Sequence, residues 1–160
     1  MATDDGNHLG PYEEPLEQMI TLRLSRVYAR LNAQAAKILK ETAGLSQVQW
    51  RVLVMLVSLG ALSPHQIVRR ILMDKSQLSR TIKTMEKQGL LSVRVSESDN
   101  RASVLEITPK GRQLYERALP GMRERQSRLN AKFTAEERSS LIDALKRIES
   151  VAQDAEKETS

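Results

Sequence analysis

The spacing of apolar residues changes twice along this chain, and those changes limit its fold more than any other feature. From Leu16 to Lys40 the stripe Ile20, Leu24, Val27, Leu31, Ala35 and Ile38 recurs at helical intervals. Further on, Leu91, Val93 and Val95 alternate with Ser92, Arg94 and Ser96, and Leu105 and Ile107 alternate with Val104 and Glu106. Period-two alternation on both sides of the polar stretch Glu97 to Arg101 predicts a β-hairpin. Helical spacing then returns through Leu114, Ala118 and Met122 towards Leu129, and again through Leu141, Leu145 and Ile148.

Local punctuation divides the helical parts. Ser46-Gln47-Val48-Gln49, Ser63-Pro64-His65-Gln66 and Thr134-Ala135-Glu136-Glu137 are capping boxes, in which a hydroxyl and a side chain three residues later satisfy each other's backbone donors. Asp74 can cap a helix beginning at Lys75, and Thr108-Pro109 is a cap followed by the favoured first-turn proline. Gly44, Gly60 and Gly89 stand where helices should stop. The predicted order is a helix over 16–40, helices over 47–58, 64–70 and 75–88, a hairpin, a long helix after Pro109 that Pro120-Gly121 should kink or break, and a helix over 135–151. The fold class is therefore mainly α with a small β-hairpin. The domain reading is a disordered tail at 1–15, an N-terminal helix at 16–45, a helix-and-hairpin domain at 46–107, C-terminal helices at 108–152 and a frayed tail at 153–160.

Composition narrows the chemistry. The chain has 160 residues, a net charge of +5, 3% aromatic residues and no cysteine. A basic balance suits a polyanionic partner. The absence of cysteine removes disulfides, thiol nucleophiles, thiolate metal sites and thiol redox sensing, and it fits a cytoplasmic location. No signal core precedes Pro15, and the longest apolar run, Val52 to Val57, is too short to span a bilayer, so no membrane partner is expected. No phosphate loop, nucleophile elbow or metal cluster is visible, and the two histidines, His8 and His65, have no clustered carboxylates. The expectation is a protein that is not an enzyme and carries no cofactor or metal.

A short helix, a tight turn, a second helix and a hairpin form the layout of a winged helix-turn-helix, whose second helix can enter the major groove. On a helical wheel Leu78, Ile82 and Met85 fall on one side of that second helix. Ser76, Arg80, Lys83 and Lys87 fall opposite, with Ser79 beside them. Arginine can fork onto guanine, whereas lysines and hydroxyls suit phosphates. Such a face on an isolated helix is better explained by solvation. The hairpin shifts the balance, because Lys75, Arg94 and Arg101 add to the basic groups near it. At the predicted hairpin tip, Arg101 can enter a narrow minor groove while Asp99 holds its guanidinium in a fixed pose. A weak surface ion pair is the bland alternative.

The stretches Gly44 to Leu53, Leu62-Ser63-Pro64, Ser76-Gln77-Leu78-Ser79-Arg80, Met85 to Leu90, Asp99-Asn100-Arg101 and Leu105 to Gly111, in this order and spacing, resemble the MarR family of bacterial transcription regulators. The resemblance runs from about Leu16 to Val151. It implies a triangular homodimer with interlocked terminal helices and two winged lobes on a palindromic double-stranded DNA operator. It places Ser76, Gln77, Ser79 and Arg80 where recognition-helix contacts occur, and Asp99 and Arg101 on the wing motif. It also implies a small organic effector, often an anionic aromatic, bound between the dimer helices and the DNA-binding lobe. The turn Leu72-Met73-Asp74-Lys75 departs from the pattern in lacking glycine, and Val68 stands where the family usually has alanine.

The terminal stripes, Leu16, Ile20 and Leu24 together with Leu141, Leu145, Ile148 and Val151, are candidate dimer surface. Arg23, at the edge of an apolar stripe, and Trp50, the single tryptophan, are the candidate effector residues. Each has a plainer reading, Arg23 as a snorkelling or dimer-pairing cation and Trp50 as core. The functional expectation is a DNA-binding repressor released by such an effector. The alternative is a helical protein-interaction module of the same fold that reads no operator.

Overall fold

The computed structural model describes residues 15–16, 18–71, 74–95 and 103–158. Their elements are α1 (Ile20–Ala43), α2 (Gln47–Leu59), α3 (Pro64–Ile71), α4 (Lys75–Lys87), β1 (Leu91–Val95), β2 (Ser103–Ile107), α5 (Pro109–Asn130) and α6 (Ala135–Glu158). The expected tail at 1–14, the turn residues Leu72 and Met73, and the hairpin tip with Asp99 and Arg101 lie outside the described residues. None of the described helices is long and apolar enough to cross a membrane.

The chain divides into two compact units, Met1–Leu119 and Pro120–Ser160. The core of the first is aliphatic: Leu39, Val52, Leu53, Ile67, Leu78, Met85, Leu91 and Leu105 are fully buried, at least one from every element from α1 to β2. Each such side chain contributes about 1.5–3 kcal/mol over leaving it in water. The capping boxes form as the sequence predicts: Ser46 Oγ accepts from Gln49 N at 3.2 Å, and Ser63 Oγ accepts from Gln66 N at 3.2 Å. Thr134 Oγ1 accepts from Glu137 N, also at 3.2 Å.

The strands pair antiparallel, with Leu91 opposite Ile107 and Val95 opposite Ser103. Leu62, just before α3, adds a bridge on the far edge of β2, donating to Leu105 O at 3.2 Å and accepting from Leu105 N at 2.8 Å. Leu105 is thus paired on both sides and anchors the hairpin to the helices. Burial fades along β1 from Leu91 to Val95, so the hairpin projects as it leaves the core.

Three helices depart from the sequence reading by more than a residue. Helix α1 starts at Ile20, because Gln18 N bonds Pro15 O and turns the chain first, and it continues to Ala43, where Gly44 in the left-handed region ends it. Helix α6 runs to Glu158. Helix α5 continues unbroken through Pro120, where a kink or break was expected. Proline there deprives the Glu116 carbonyl of its usual donor, but both residues are exposed, so water can take the donor's place.

Among its described side chains helix α6 buries none, and Leu141, Ile142, Leu145, Ile148 and Val151 are exposed along it. Within the first unit, Ile20, Val27 and Tyr28 of α1 are also exposed.

Candidate nucleic-acid interface

Helix α4 is cut off sharply at both ends. Asp74 accepts from Ser76 N at 2.8 Å and Gln77 N at 3.0 Å, and the Ser76 hydroxyl also donates to the same carboxylate oxygen. That hydroxyl bond, with the two backbone donors behind it, holds the Asp74 carboxyl below the usual carboxylate range. At the other end Gly89, at φ 69°, lets Gly89 N reach Glu86 O and Leu90 N reach Met85 O, both at 2.8 Å. This pair of bonds is a Schellman stop, which needs the left-handed residue that glycine supplies.

The faces divide as the wheel predicts. Leu78, Ile82 and Met85 are buried, while Lys75, Ser76, Gln77, Ser79, Arg80, Lys83 and Lys87 are exposed. Lys75, Ser79 and Lys83 border a groove of about 480 Å³ shared with His65 and Val68 of α3 and Val93 and Ser103 of the hairpin. Gln77 and Arg80 border a second groove, of about 450 Å³, on the other flank, with Thr81, Thr84 and the start of α2. Thr81 and Thr84 donate their hydroxyls back to Gln77 O and Arg80 O, at 3.0 and 2.9 Å. With the Ser76 hydroxyl given to Asp74, the hydroxyl still to be matched among the described residues of the outward face is that of Ser79, near its amino-terminal end.

Arg94 does not extend the basic face freely, because its guanidinium pairs with Glu106 across the hairpin at 2.8 Å. Helix α3 supplies basic groups that the sequence reading passed over: Arg69 and Arg70 are exposed and share a hollow with His65 and Gln66. Their spacing from His65 on an eight-residue helix was the available signal.

The two candidate effector residues stand apart in character. Trp50 stacks on Tyr115 of α5, with ring centroids 5.1 Å apart and 13° between planes. Arg23 is exposed in the first turn of α1. A different set converges elsewhere: Tyr28, Gln47, Val48, Arg51, Ile71, Asp74 and Gln77 line a cavity of about 510 Å³. Hydrogen bonds with Asn32 and then Arg51, plus the Arg51 charge, hold the Tyr28 phenol below its ordinary value. Sequence spacing gave no sign of this cavity, because its lining comes from four helices and the turn before α4.

Residues 43–102 match the model of the MarR family. Two Bacillus subtilis relatives are HTH-type transcriptional regulators. YdgJ is 29% identical over 105 residues, 66% of this chain, and the chain spans only 64% of its length. YwoH is 30% identical over 110 residues, 69% of this chain and 80% of the relative. Among solved structures, Bordetella bronchiseptica BpsR, whose DNA binding is regulated by 6-hydroxynicotinic acid, is 25% identical with a TM-score of 0.73. That alignment covers 88% of this chain and 98% of BpsR. A winged helix-turn-helix built on the predicted elements, a family match over α2 to the hairpin and relatives of this extent place the chain in the MarR family.

Proposed function

We propose that the protein is a sequence-specific double-stranded DNA-binding transcription regulator. In this reading it acts as a homodimeric repressor on a palindromic operator and is released by a small organic effector of the anionic aromatic class. The outward face of α4 carries the reading. Arg80 stands opposite the buried Leu78, Ile82 and Met85, with Ser76, Ser79, Lys83 and Lys87 around it. A helix of this diameter fits the major groove, where Arg80 reaches a guanine edge, while Lys75, Lys83 and Lys87 neutralise phosphates. Gln77 reads from the flank of the same helix. Asp99 and Arg101 contribute from the hairpin tip, with Arg101 in the minor groove.

The exposed apolar stripes of α1 and α6 support a second copy of the chain as partner. Two joined subunits gain avidity and specify half-site spacing. For the effector, Arg23 remains the proposed cation and Trp50 the proposed wall. The cavity beside Tyr28 and Arg51, which neither Arg23 nor Trp50 lines, is a second candidate place for an anion, where it would touch α1, α2 and the start of α4 together. BpsR supplies a relative whose DNA binding an aromatic acid controls.

The test is fluorescence anisotropy of the full chain on duplex DNA from its own upstream region and on a scrambled duplex, at two salt concentrations. Tight, salt-sensitive preference for the native duplex is expected, weakened by Arg101→Ala with fold and oligomer unchanged. Equal weak binding to both duplexes, with no effect of Arg101→Ala, would instead favour the interaction-module reading.

A further inference from the structure

The apolar face of α4 sets its depth in the core through contact that is not directional. Directional contacts gather at its carboxyl end. The Schellman stop uses the carbonyls of Met85 and Glu86. The carbonyls of the three residues that follow α4 are all taken by α5 or the residue before it: Gln88 O accepts from Lys110 Nζ at 2.8 Å, Gly89 O from Thr108 Oγ1 at 2.6 Å, and Leu90 O from Thr108 N at 3.2 Å. From the other side, Gln49 of α2 donates Nε2 to Gln88 Oε1 at 2.8 Å.

Two of these side chains also cap their own helices. Gln49 Oε1 accepts from Ser46 N at 2.9 Å, closing the capping box of α2. Thr108 Oγ1 accepts from Gly111 N at 3.1 Å, capping α5. Gln49 is 8% exposed and its amide is satisfied at both ends. The start of α2, the end of α4, the root of the hairpin and the start of α5 are therefore tied by one polar cluster.

We propose that Gln49, Thr108 and Lys110 form a positioning latch that sets the pose of α4 and the hairpin root against α2 and α5, and thereby governs discrimination between DNA sequences rather than affinity for DNA in general. The inference rests on the DNA-reading function proposed above. Phosphate contacts tolerate small shifts of a helix, because charge attraction is long-ranged and weakly directional. A bidentate base contact does not tolerate them. Loosening the latch therefore costs base reading first.

Two pairs of substitutions test this in the full chain. Thr108→Val removes the hydroxyl and Thr108→Ser keeps it. Gln88→Ala removes the acceptor for Gln49 and Gln88→Glu keeps it. The ratio of dissociation constants for native upstream and scrambled duplexes should fall about three- to tenfold in Thr108→Val and Gln88→Ala, the weight of one net hydrogen bond. Scrambled-duplex affinity should stay within about twofold, and Ser or Glu should restore the ratio. Parallel loss on both duplexes, or an unchanged ratio in folded variants, overturns the latch.

Amide hydrogen exchange without DNA provides the second readout. Exchange at Gly89, Leu90 and Leu91 should quicken in Thr108→Val and recover in Thr108→Ser, with Leu39 in α1 unchanged. No change there overturns the proposal even if the wild-type chain reads no operator. Should Thr108→Val fail to fold, Lys110→Met, at an exposed side chain, carries the same comparison. A wild-type chain that binds both duplexes equally while exchange responds as expected would instead count against the DNA-reading function alone.

Discussion

Gly111→Ala gives the sharpest stability prediction, because helix propensity and tertiary geometry demand opposite signs. Gly111 lies inside α5, where alanine in place of glycine would ordinarily stabilise by about 1 kcal/mol. In the folded chain, however, a Cβ on Gly111 would lie 2.0 Å from Leu90 O, and 3.0 Å from both Leu90 C and Ile107 Cγ1. The nearest obstacle is backbone, so no side chain can swing aside. Leu90 O must retreat, and it is the acceptor of Thr108 N, next to the Gly89 O–Thr108 Oγ1 bond. Overpacking costs about 1–3 kcal/mol and two weakened hydrogen bonds about 1–2 kcal/mol, which together exceed the propensity gain and leave a net loss of about 1–4 kcal/mol. For a chain of this size that lowers the melting temperature by about 2–16 °C. Urea and thermal unfolding of wild type and variant would measure it, with the urea m-value showing whether the unfolding transition itself is unchanged. A variant as stable as wild type, or more so, would refute the close approach of α5 to the hairpin root.

Four further outcomes are expected. Arg80→Ala should relax sequence preference by about 1–3 kcal/mol in operator titrations while leaving circular dichroism and oligomeric state unchanged. Arg69→Gln should reduce the slope of log affinity against log salt by about 1 if α3 lies along the phosphate backbone, and leave it unchanged if that helix faces only water. The Asp74 cap rests on a depressed carboxyl pKa, so its contribution is fully present above the ordinary Asp value of 3.8 and is lost as pH falls through the lower folded value. Amide exchange at Ser76 and Gln77 should therefore show no cap loss between pH 7 and 5, and Asp74→Ala should quicken exchange there at neutral pH. Leu145→Asp, in the exposed apolar stripe of α6, should shift sedimentation towards monomer while the first unit retains its own unfolding transition.

The outward face of α4 was legible in the sequence because it depends on one helix and one period. Once Leu78, Ile82 and Met85 are known to be apolar, the helical repeat sends Ser76, Arg80, Lys83 and Lys87 to the other side. The grooves that flank this face were not legible. His65, Val93 and Ser103 join Lys75 and Lys83 only after α3 and the hairpin have packed, and residues that far apart in the chain carry no shared spacing. The cavity beside Tyr28 and Arg51 was hidden for the same reason. Arg94, counted as a basic group from its position, is paired with Glu106, a contact that depends on strand register.

What the sequence by itself determined is local: the helical and alternating periods, the three capping boxes, the aspartate before α4 and the glycine after it. Each rests on atoms within a few residues of one another, so the chemistry that selects them is present in the unfolded chain. The tertiary structure alone decided which carbonyls Thr108 and Lys110 would satisfy, that the capping glutamine of α2 would also hold Gln88, and that Gly111 must lack a side chain. It also stacked Trp50 on Tyr115 and carried α5 through Pro120. These depend on distances between segments that meet only when the aliphatic core closes, and no pattern within a single segment encodes them.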